Sequence, residues 1–181
     1  MRIIPYPEAG EYPTSASMYI DLIPRDGRLL EHLARAREAT TNLVLGLPEE
    51  KLLHRYAPGK WTIKEMLVHI VDDERIYAYR ALRFARGDLT PLPGFEQDAF
   101  AAASQANERQ AADIVAEYAA VREATIALFR GLPQAALLRS GVADGKRATV
   151  RALGYHIAGH EAHHIAFVEE RYLGRERIRT S

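Results

Sequence analysis

Four of the chain's seven histidines lie close together near its C-terminal end, in a segment that is predicted to be one helix. They are His156, His160, His163 and His164. The segment runs from Thr149, a typical N-cap residue, to Tyr172 and contains no proline. At about 100° per residue, all four side chains fall on one arc of the helix surface. A single histidine there is usually a solvated polar residue, but four on one arc predict a metal site, because charging them together would be costly.

An internal repeat indicates where a third ligand comes from, since the pair His160 and His164, one turn apart, leaves a site incomplete. Gly46-Leu47-Pro48 recurs as Gly131-Leu132-Pro133, and each turn is followed by a loop and a threonine-capped helix. The register places His69 at the same distance from its cap as the first histidine of the C-terminal cluster. The repeat predicts two related halves whose second helices face each other across the molecule. Chance recurrence of the turn is the alternative.

The predicted ligands are therefore His69, His160 and His164, with a fourth position open to water or substrate. Such an open position is typical of catalytic rather than structural sites. Asp73, one turn after His69, is a candidate to support a ligand or to bind the ion itself. The other two clustered histidines, His156 and His163, are expected to line the pocket or to support the ligands. No role is predicted for His32 and His54.

Composition limits the chemistry of this site and its partners. There are no cysteines, so the protein has neither a thiolate ligand nor a cysteine nucleophile, and its available donors suit Zn²⁺, Ni²⁺ or Fe²⁺. The formal net charge is zero and no basic run occurs, which argues against a nucleic-acid partner. No long apolar run or leader segment is present, so we expect no membrane partner and a cytoplasmic location.

Four amphipathic helices are predicted to position the site, over residues 28–45, 62–86, 107–130 and 149–172. The second begins with a capping box, Thr62 to Glu65. Proline and glycine mark the connections, and no segment shows convincing strand alternation. The expected fold is all-α, an antiparallel four-helix bundle formed by residues 28–172 of a single domain, 1–181. Residues 1–27 carry four prolines and several apolar side chains, which predict an irregular N-terminal arm packed on the bundle, and residues 174–181 are expected to fray.

Two stretches resemble the DinB-like (DinB/YfiT-type) superfamily of metal-binding four-helix bundles. These are APGKWTIKE at 57–65, which leads to His69, and AGHEAHH at 158–164. The resemblance extends over most of the chain. The family's metal ligands are one histidine on helix two and an H-x-x-x-H pair on helix four, which correspond to His69, His160 and His164.

This resemblance implies a divalent metal ion, most often zinc or nickel, and a homodimer. Characterised relatives include S-transferases and isomerases that use small thiols such as bacillithiol or mycothiol. In such an enzyme the metal would bind the thiol sulfur and lower its pKa, producing a thiolate nucleophile at neutral pH. The implied function is a thiol-dependent S-transferase with a small-molecule thiol as substrate, and its catalytic residues remain unassigned. The alternatives are another metal-dependent enzyme or a non-catalytic metal-binding module.

The stretch from His160 to His164 also matches H-E-x-x-H, the zincin metalloprotease pattern, in which Glu161 would be the general base. Zincins normally hold an extended peptide against a strand-rich lobe, which this sequence does not predict. We therefore disfavour a protease and expect Glu161 to lie on the helix surface or to support a ligand. Trp61 is expected to pack in the core rather than to line a pocket. Arg80 and Arg83 are expected to tether loops through Asp88 or Asp98 rather than to bind an anionic substrate.

Overall fold

A computed structural model describes residues 2–175, and four long helices account for nearly half of this part of the chain. In chain order the helices are α1 (Ser17–Ile20), α2 (Leu29–Leu45), α3 (Glu49–Leu52), α4 (Ile63–Ala85), α5 (Gln97–Ala103), α6 (Ala111–Gly131), α7 (Gln134–Leu137) and α8 (Val150–Arg171). Helix α2 packs on α6, α6 on α4, α4 on α8, and α8 on α2. The predicted four-helix bundle is thus confirmed, with α4 and α8 as direct neighbours in the ring.

Side chains cap the two helices that carry the candidate ligands. The hydroxyl of Thr62 accepts a hydrogen bond from the backbone N–H of Glu65 at 3.0 Å, and the Glu65 carboxylate accepts one from the Thr62 N–H at 2.7 Å. Thr149 accepts a hydrogen bond from the N–H of Ala152 at 3.3 Å. Both predicted caps are confirmed, and each such cap stabilises a helix by about 1 kcal/mol.

Helix α6 begins at Ala111, four residues later than predicted, because the chain before it is held in another conformation. Residues Ala106–Glu108 form a 3-10 turn, and Arg109 and Gln110 are extended. The buried ammonium of Lys64 donates a hydrogen bond to the Arg109 carbonyl at 2.7 Å. This contact fixes the extended segment against the start of α4.

The segment before α8 forms a β-hairpin, which the sequence analysis did not predict because it found no convincing strand alternation. Strands β1 (Ser140–Ala143) and β2 (Lys146–Thr149) pair antiparallel with Ser140 opposite Thr149. The turn is Asp144-Gly145, with φ values of 52° and 67°. This dipeptide is the usual type I′ hairpin turn. The hairpin also pairs with Leu92, whose N–H donates a hydrogen bond to the Val142 carbonyl at 3.0 Å, so it ties the loop after α4 to the start of α8.

The N-terminal arm lies against the bundle. Its Ile4 and Ile20 are fully buried, and the hydroxyl of Tyr155 on α8 donates a hydrogen bond to the Ile4 carbonyl at 2.9 Å. At the start of α8, the carboxylate of Glu11 accepts hydrogen bonds from the Thr149 hydroxyl at 2.8 Å and from the Arg151 guanidinium at 2.7 Å. These contacts seat α1 directly on α8.

The hydrophobic core consists of two clusters that meet along α8. One takes in Tyr155 and Ile157 with the buried residues of the arm, and the other takes in Val168 with the first half of α4. The clustered histidines lie between them on α8. No helix in the described part of the chain is long and apolar enough to cross a membrane. The prediction that the C-terminus frays concerns mainly residues 176–181, which lie outside the described residues.

Candidate metal centre

Helices α4 and α8 bring His69, His160 and His164 together. The Nε2 atom of His160 lies 3.1 Å from that of His69 and 3.1 Å from that of His164. One nitrogen of each ring falls within 4.8 Å of the other two. Nitrogen atoms that share a zinc ion at about 2.1 Å lie about 3.4 Å apart at the tetrahedral angle. The spacing therefore suits one shared divalent ion.

Burial keeps these three imidazoles neutral. It lowers the pKa of His69 to about 4 and the pKa of His164 to about 3. The pKa of His160 falls well below its usual value, first through burial and then through the neighbouring imidazoles. Neutral imidazole is the form that binds metal ions. Since their lone pairs converge where water is largely excluded, a cation between the rings would relieve both their repulsion and their lost solvation.

Asp73 supports His160 from the far side of its ring. Its Oδ2 atom lies 3.4 Å from Nδ1 of His160 and 3.7 Å from Nε2 of His156. This oxygen is buried and accepts no hydrogen bond from residues 2–175, and burial raises the pKa of the Asp73 carboxyl to about 8. A proton on Nδ1 of His160, facing this carboxylate, leaves Nε2 free to bind a metal. A divalent ion would also supply the positive charge that the buried carboxylate lacks, so the residues present fit such an ion.

The other two clustered histidines flank the three. His156 is buried and stacks on Tyr77 with ring centroids 3.9 Å apart, and burial lowers its pKa to about 3. His163 is half-buried, and its ring centroid lies 5.3 Å from that of His164. His32 and His54 lie elsewhere: Nε2 of His32 is 3.0 Å from the Asp26 carboxylate, and His54 packs near Tyr172.

Tyr19, from the N-terminal arm, is a site residue that the sequence analysis did not identify. Its ring lies edge-on to His156, His160 and His163, with centroid distances of 5.1, 5.2 and 5.2 Å. The available signal was Gly159, because a glycine inside a helix often marks a close backbone approach. A Cβ atom at Gly159 would lie 2.1 Å from the Tyr19 carbonyl oxygen.

Glu161 is buried, so the expectation that it lies on the helix surface was wrong. Its Oε1 atom accepts hydrogen bonds from the Thr40 hydroxyl at 2.7 Å and from the Tyr118 hydroxyl, and its Oε2 atom lies 2.7 Å from the Arg122 guanidinium. Arg122 also pairs with Glu74 at 2.8 Å. The carboxylate is held by α2 and α6 rather than turned toward the histidines, which removes the base that a zincin mechanism needs.

A cavity of about 440 Å³ borders the site at His164. Its lining residues are Tyr56, Gly59, Lys60, Trp61, Met66, Asp98, His163, His164, Phe167 and Tyr172. The Trp61 ring lies 4.8 Å from that of His69, so Trp61 forms part of the cavity wall, contrary to the expectation of a purely core role. A second cavity, of about 320 Å³, borders His160 and Asp73.

Arg80 and Arg83, two of the arginines of α4, tether the loop that follows it. Arg83 pairs with Asp88, which confirms one of the predicted partners. Arg80 donates a hydrogen bond to the Pro93 carbonyl at 3.1 Å and lies over the Tyr77 ring at 4.8 Å. The hydrogen bond that tethers the loop is therefore to a backbone carbonyl and not to either predicted aspartate, Asp88 or Asp98.

The chain is similar in sequence to one protein family and in structure to a solved four-helix bundle. A family model described as the DinB superfamily matches residues 32–168. YfiT from Bacillus subtilis, described as a probable metal-dependent hydrolase with an unusual four-helix bundle topology, is similar with a TM-score of 0.70. The similarity covers 95% of both chains at 16% sequence identity, so it shows a shared fold. A search of curated proteins finds no match.

Proposed function

The chain belongs to the DinB superfamily, and from that premise we propose that it is an enzyme that binds one divalent metal ion through His69, His160 and His164. The observation that carries the proposal is the convergence of three neutral imidazoles, with Nε2 atoms 3.1 Å apart in two of the pairs. Three nitrogen donors without a thiolate suit zinc or nickel. When bound, the ion would act as a Lewis acid that lowers the pKa of a thiol or a water molecule reaching it.

The reaction we propose first is a thiol-dependent S-transfer on a small molecule. The sulfur of the thiol loses its proton and attacks an electrophilic carbon, which releases its leaving group with the bonding electrons. The protein's part is to position the reactants: His164 borders a cavity large enough for a small molecule, Asp73 orients His160, and Trp61 keeps water from one side of the site. This chemistry does not require Glu161 as a base, which agrees with its engagement by Arg122. We also propose a homodimer without nucleic-acid or membrane partners.

Metal-dependent hydrolysis is the second candidate. It is favoured by the description of YfiT and by Asp98, a carboxylate that lines the same cavity as His164 and could serve as a general base for water. A non-catalytic metal-binding module is the remaining alternative.

Elemental analysis of protein purified without chelators or an affinity tag tests the metal site. We expect His69→Ala, His160→Ala and His164→Ala each to lower the metal content strongly. His32→Ala and His54→Ala are matched controls, because both histidines lie outside the site, and they should retain the parent's content. A full metal content in His69→Ala would show that His69 is not a ligand.

A Co²⁺-substituted protein distinguishes the two reactions. Because the chain has no cysteine, a thiolate-to-metal charge-transfer band can come only from an added thiol. We expect such a band when a bacterial low-molecular-weight thiol is added. Absence of the band at large thiol excess, together with turnover of activated esters that requires Asp98, would favour the hydrolase instead.

A further inference from the structure

We propose that the cavity beside His164 binds a flat, apolar acid, that is, an aromatic ring carrying one anionic group. The proposal rests on the proposed function in one respect, the divalent ion on the three histidines. The substrate class itself is inferred from the walls, size and charge of the cavity.

The walls are aromatic side chains that hold one another in place. The Tyr56 ring centroid lies 5.5 Å from that of Phe167 and 5.1 Å from that of Tyr172, with both pairs edge-to-face. The Tyr172 hydroxyl donates a hydrogen bond to the Trp61 carbonyl at 2.5 Å. Since these contacts are made before any ligand binds, the surface is preformed, and preformed aromatic walls favour flat apolar groups.

The size and position of the cavity suit a single small molecule that reaches the site. Its volume, about 440 Å³, falls within the range of about 300–1,000 Å³ that is common for small-molecule pockets. His164 and Trp61 both line it, and the Trp61 ring packs against His69. A ring bound between the aromatic walls therefore lies beside the histidines.

The charge of the lining favours an anion. Lys60 and Asp98 are the lysine and the carboxylate among the lining residues, and their charges cancel. Lys60 is exposed at the cavity, and its ammonium forms no ion pair with a carboxylate of the described residues, so it is available to a ligand. A divalent ion on the three histidines would add its own positive charge beside the cavity, whose lining charges otherwise cancel. An acid is thus favoured over its neutral analogue.

Trp61 provides the measurement, because it is the chain's single tryptophan and lies in the cavity wall. The metal-loaded protein is titrated with 3-phenylpropanoate, with the neutral 3-phenylpropan-1-ol, and with hexanoate, which has the charge but no ring. We expect a saturable change in Trp61 fluorescence with 3-phenylpropanoate. The alcohol and hexanoate should each bind about tenfold more weakly.

Variants test each part of the cavity. Phe167→Ala should weaken 3-phenylpropanoate binding about tenfold, and Phe167→Leu, which keeps apolar volume without a ring, should also weaken it if the alanine variant folds poorly. Lys60→Gln should weaken binding of the acid about threefold and leave binding of the alcohol unchanged. Tyr79→Ala is the control: this tyrosine is an exposed aromatic of α4 that lines a different groove, so its loss should change neither affinity.

A metal-loaded protein whose Trp61 fluorescence shows no saturable response would overturn the proposal. Equal affinity for the acid and the alcohol would do the same, as would undiminished binding by both Phe167 variants. If the proposed metal site is wrong, the parent protein will take up no ion before any acid is added, so this outcome is distinguished from a failure of the cavity proposal.

Discussion

At the scale of single residues, the position of one proton decides whether three histidines can hold an ion. An imidazole can face a metal with Nε2 only if its proton is on Nδ1, and that tautomer needs an acceptor. For His160 the structure places the Asp73 carboxylate 3.4 Å from Nδ1. We therefore expect Asp73 to act through His160, by orienting its lone pair toward His69 and His164.

Asp73→Asn tests this positioning role. The amide is the same size but carries no charge, so we expect metal affinity to fall about 10- to 100-fold while the three ligands remain in place. Asp72→Asn is a matched control, because Asp72 is the preceding residue on α4 and lies near Arg75 rather than the histidines. The measurement is a competition titration of both variants against a chelator. Equal affinities in the two variants would contradict the role assigned to Asp73.

Sequence reasoning identified the histidines as a set because their spacing on one helix, together with a repeat, restricts geometry strongly. It placed Glu161 wrongly for a physical reason: the angle around a single helix does not say which neighbours pack there. The arc beyond the histidines faces α2 and α6, so a carboxylate that would be exposed on an isolated helix is buried against Arg122. Tyr19 was missed because its arm has no periodicity that would indicate a contact.

At the scale of elements, the contact between α1 and α8 depends on the absence of a side chain at Gly159. A Cβ atom there would lie 2.1 Å from the Tyr19 carbonyl and 3.1 Å from the Ile20 nitrogen. These are backbone atoms, which cannot move aside as the end of a flexible side chain can. The arm would have to withdraw from α8 and take the Tyr19 ring with it.

We expect Gly159→Ala to destabilise the protein by about 1–3 kcal/mol, although alanine favours a helix by about 1 kcal/mol over glycine. Gly131→Ala is the control: this glycine ends α6, and a Cβ there meets no atom within 4 Å. It should be neutral or slightly stabilising. Denaturant unfolding of both variants in the metal-free form measures the difference. An unchanged or increased stability of Gly159→Ala would mean that the arm does not press on α8.

The ion pair between the arm and the start of α8 makes stability depend on pH. The Arg151 guanidinium, aided by the Thr149 hydroxyl, holds the pKa of Glu11 below its ordinary value of 4.5. A carboxyl whose folded pKa is depressed stabilises the protein fully above its unfolded pKa. That stabilisation is lost as the pH falls below 4.5 and through the folded pKa.

We therefore expect Glu11→Gln to be less stable than the parent by about 1 kcal/mol at neutral pH, after allowance for solvent screening. The difference in stability should disappear as the pH falls below the pKa of the Glu11 carboxyl in the unfolded chain. Unfolding curves of both proteins across this range give the difference directly. A gap that is constant with pH would show that the charge of Glu11 contributes nothing.

Periodicity predicted the long helices well because each buries one face against the bundle. It missed the hairpin, whose strands are only four residues long and have a mixed burial pattern. The Asp144-Gly145 turn was the usable signal, since both residues need positive φ. The short helix α5 lies in a proline- and glycine-rich connection, and its position depends on contacts with α4 that local sequence does not encode.

At the scale of the whole molecule, a buried charged network joins all four long helices. Arg122 of α6 pairs with Glu74 of α4 and Glu161 of α8, and it donates a hydrogen bond to the Leu33 carbonyl of α2 at 3.0 Å. Arg122 is fully buried and both carboxylates are almost so. The order of helices around the bundle could not be predicted from the sequence. Each charged residue of this network would be expected on the exposed surface if its helix were considered alone.

The network lies next to the metal site along α8, since Glu161 follows His160, yet the two should respond differently to substitution. Glu161→Gln removes one of the two carboxylates that compensate a buried arginine, and breaking a buried ion pair costs about 3–5 kcal/mol. We expect the metal-free variant to lose that much stability and still bind the ion with its three histidines. His164→Ala removes a half-buried neutral ring, so it should lose the ion with a smaller change in metal-free stability. The paired measurement is metal content and denaturant unfolding for both variants. If Glu161→Gln kept its stability but lost the ion or a hydrolytic activity of the parent, Glu161 would belong to the metal site rather than to the buried network that joins the four helices.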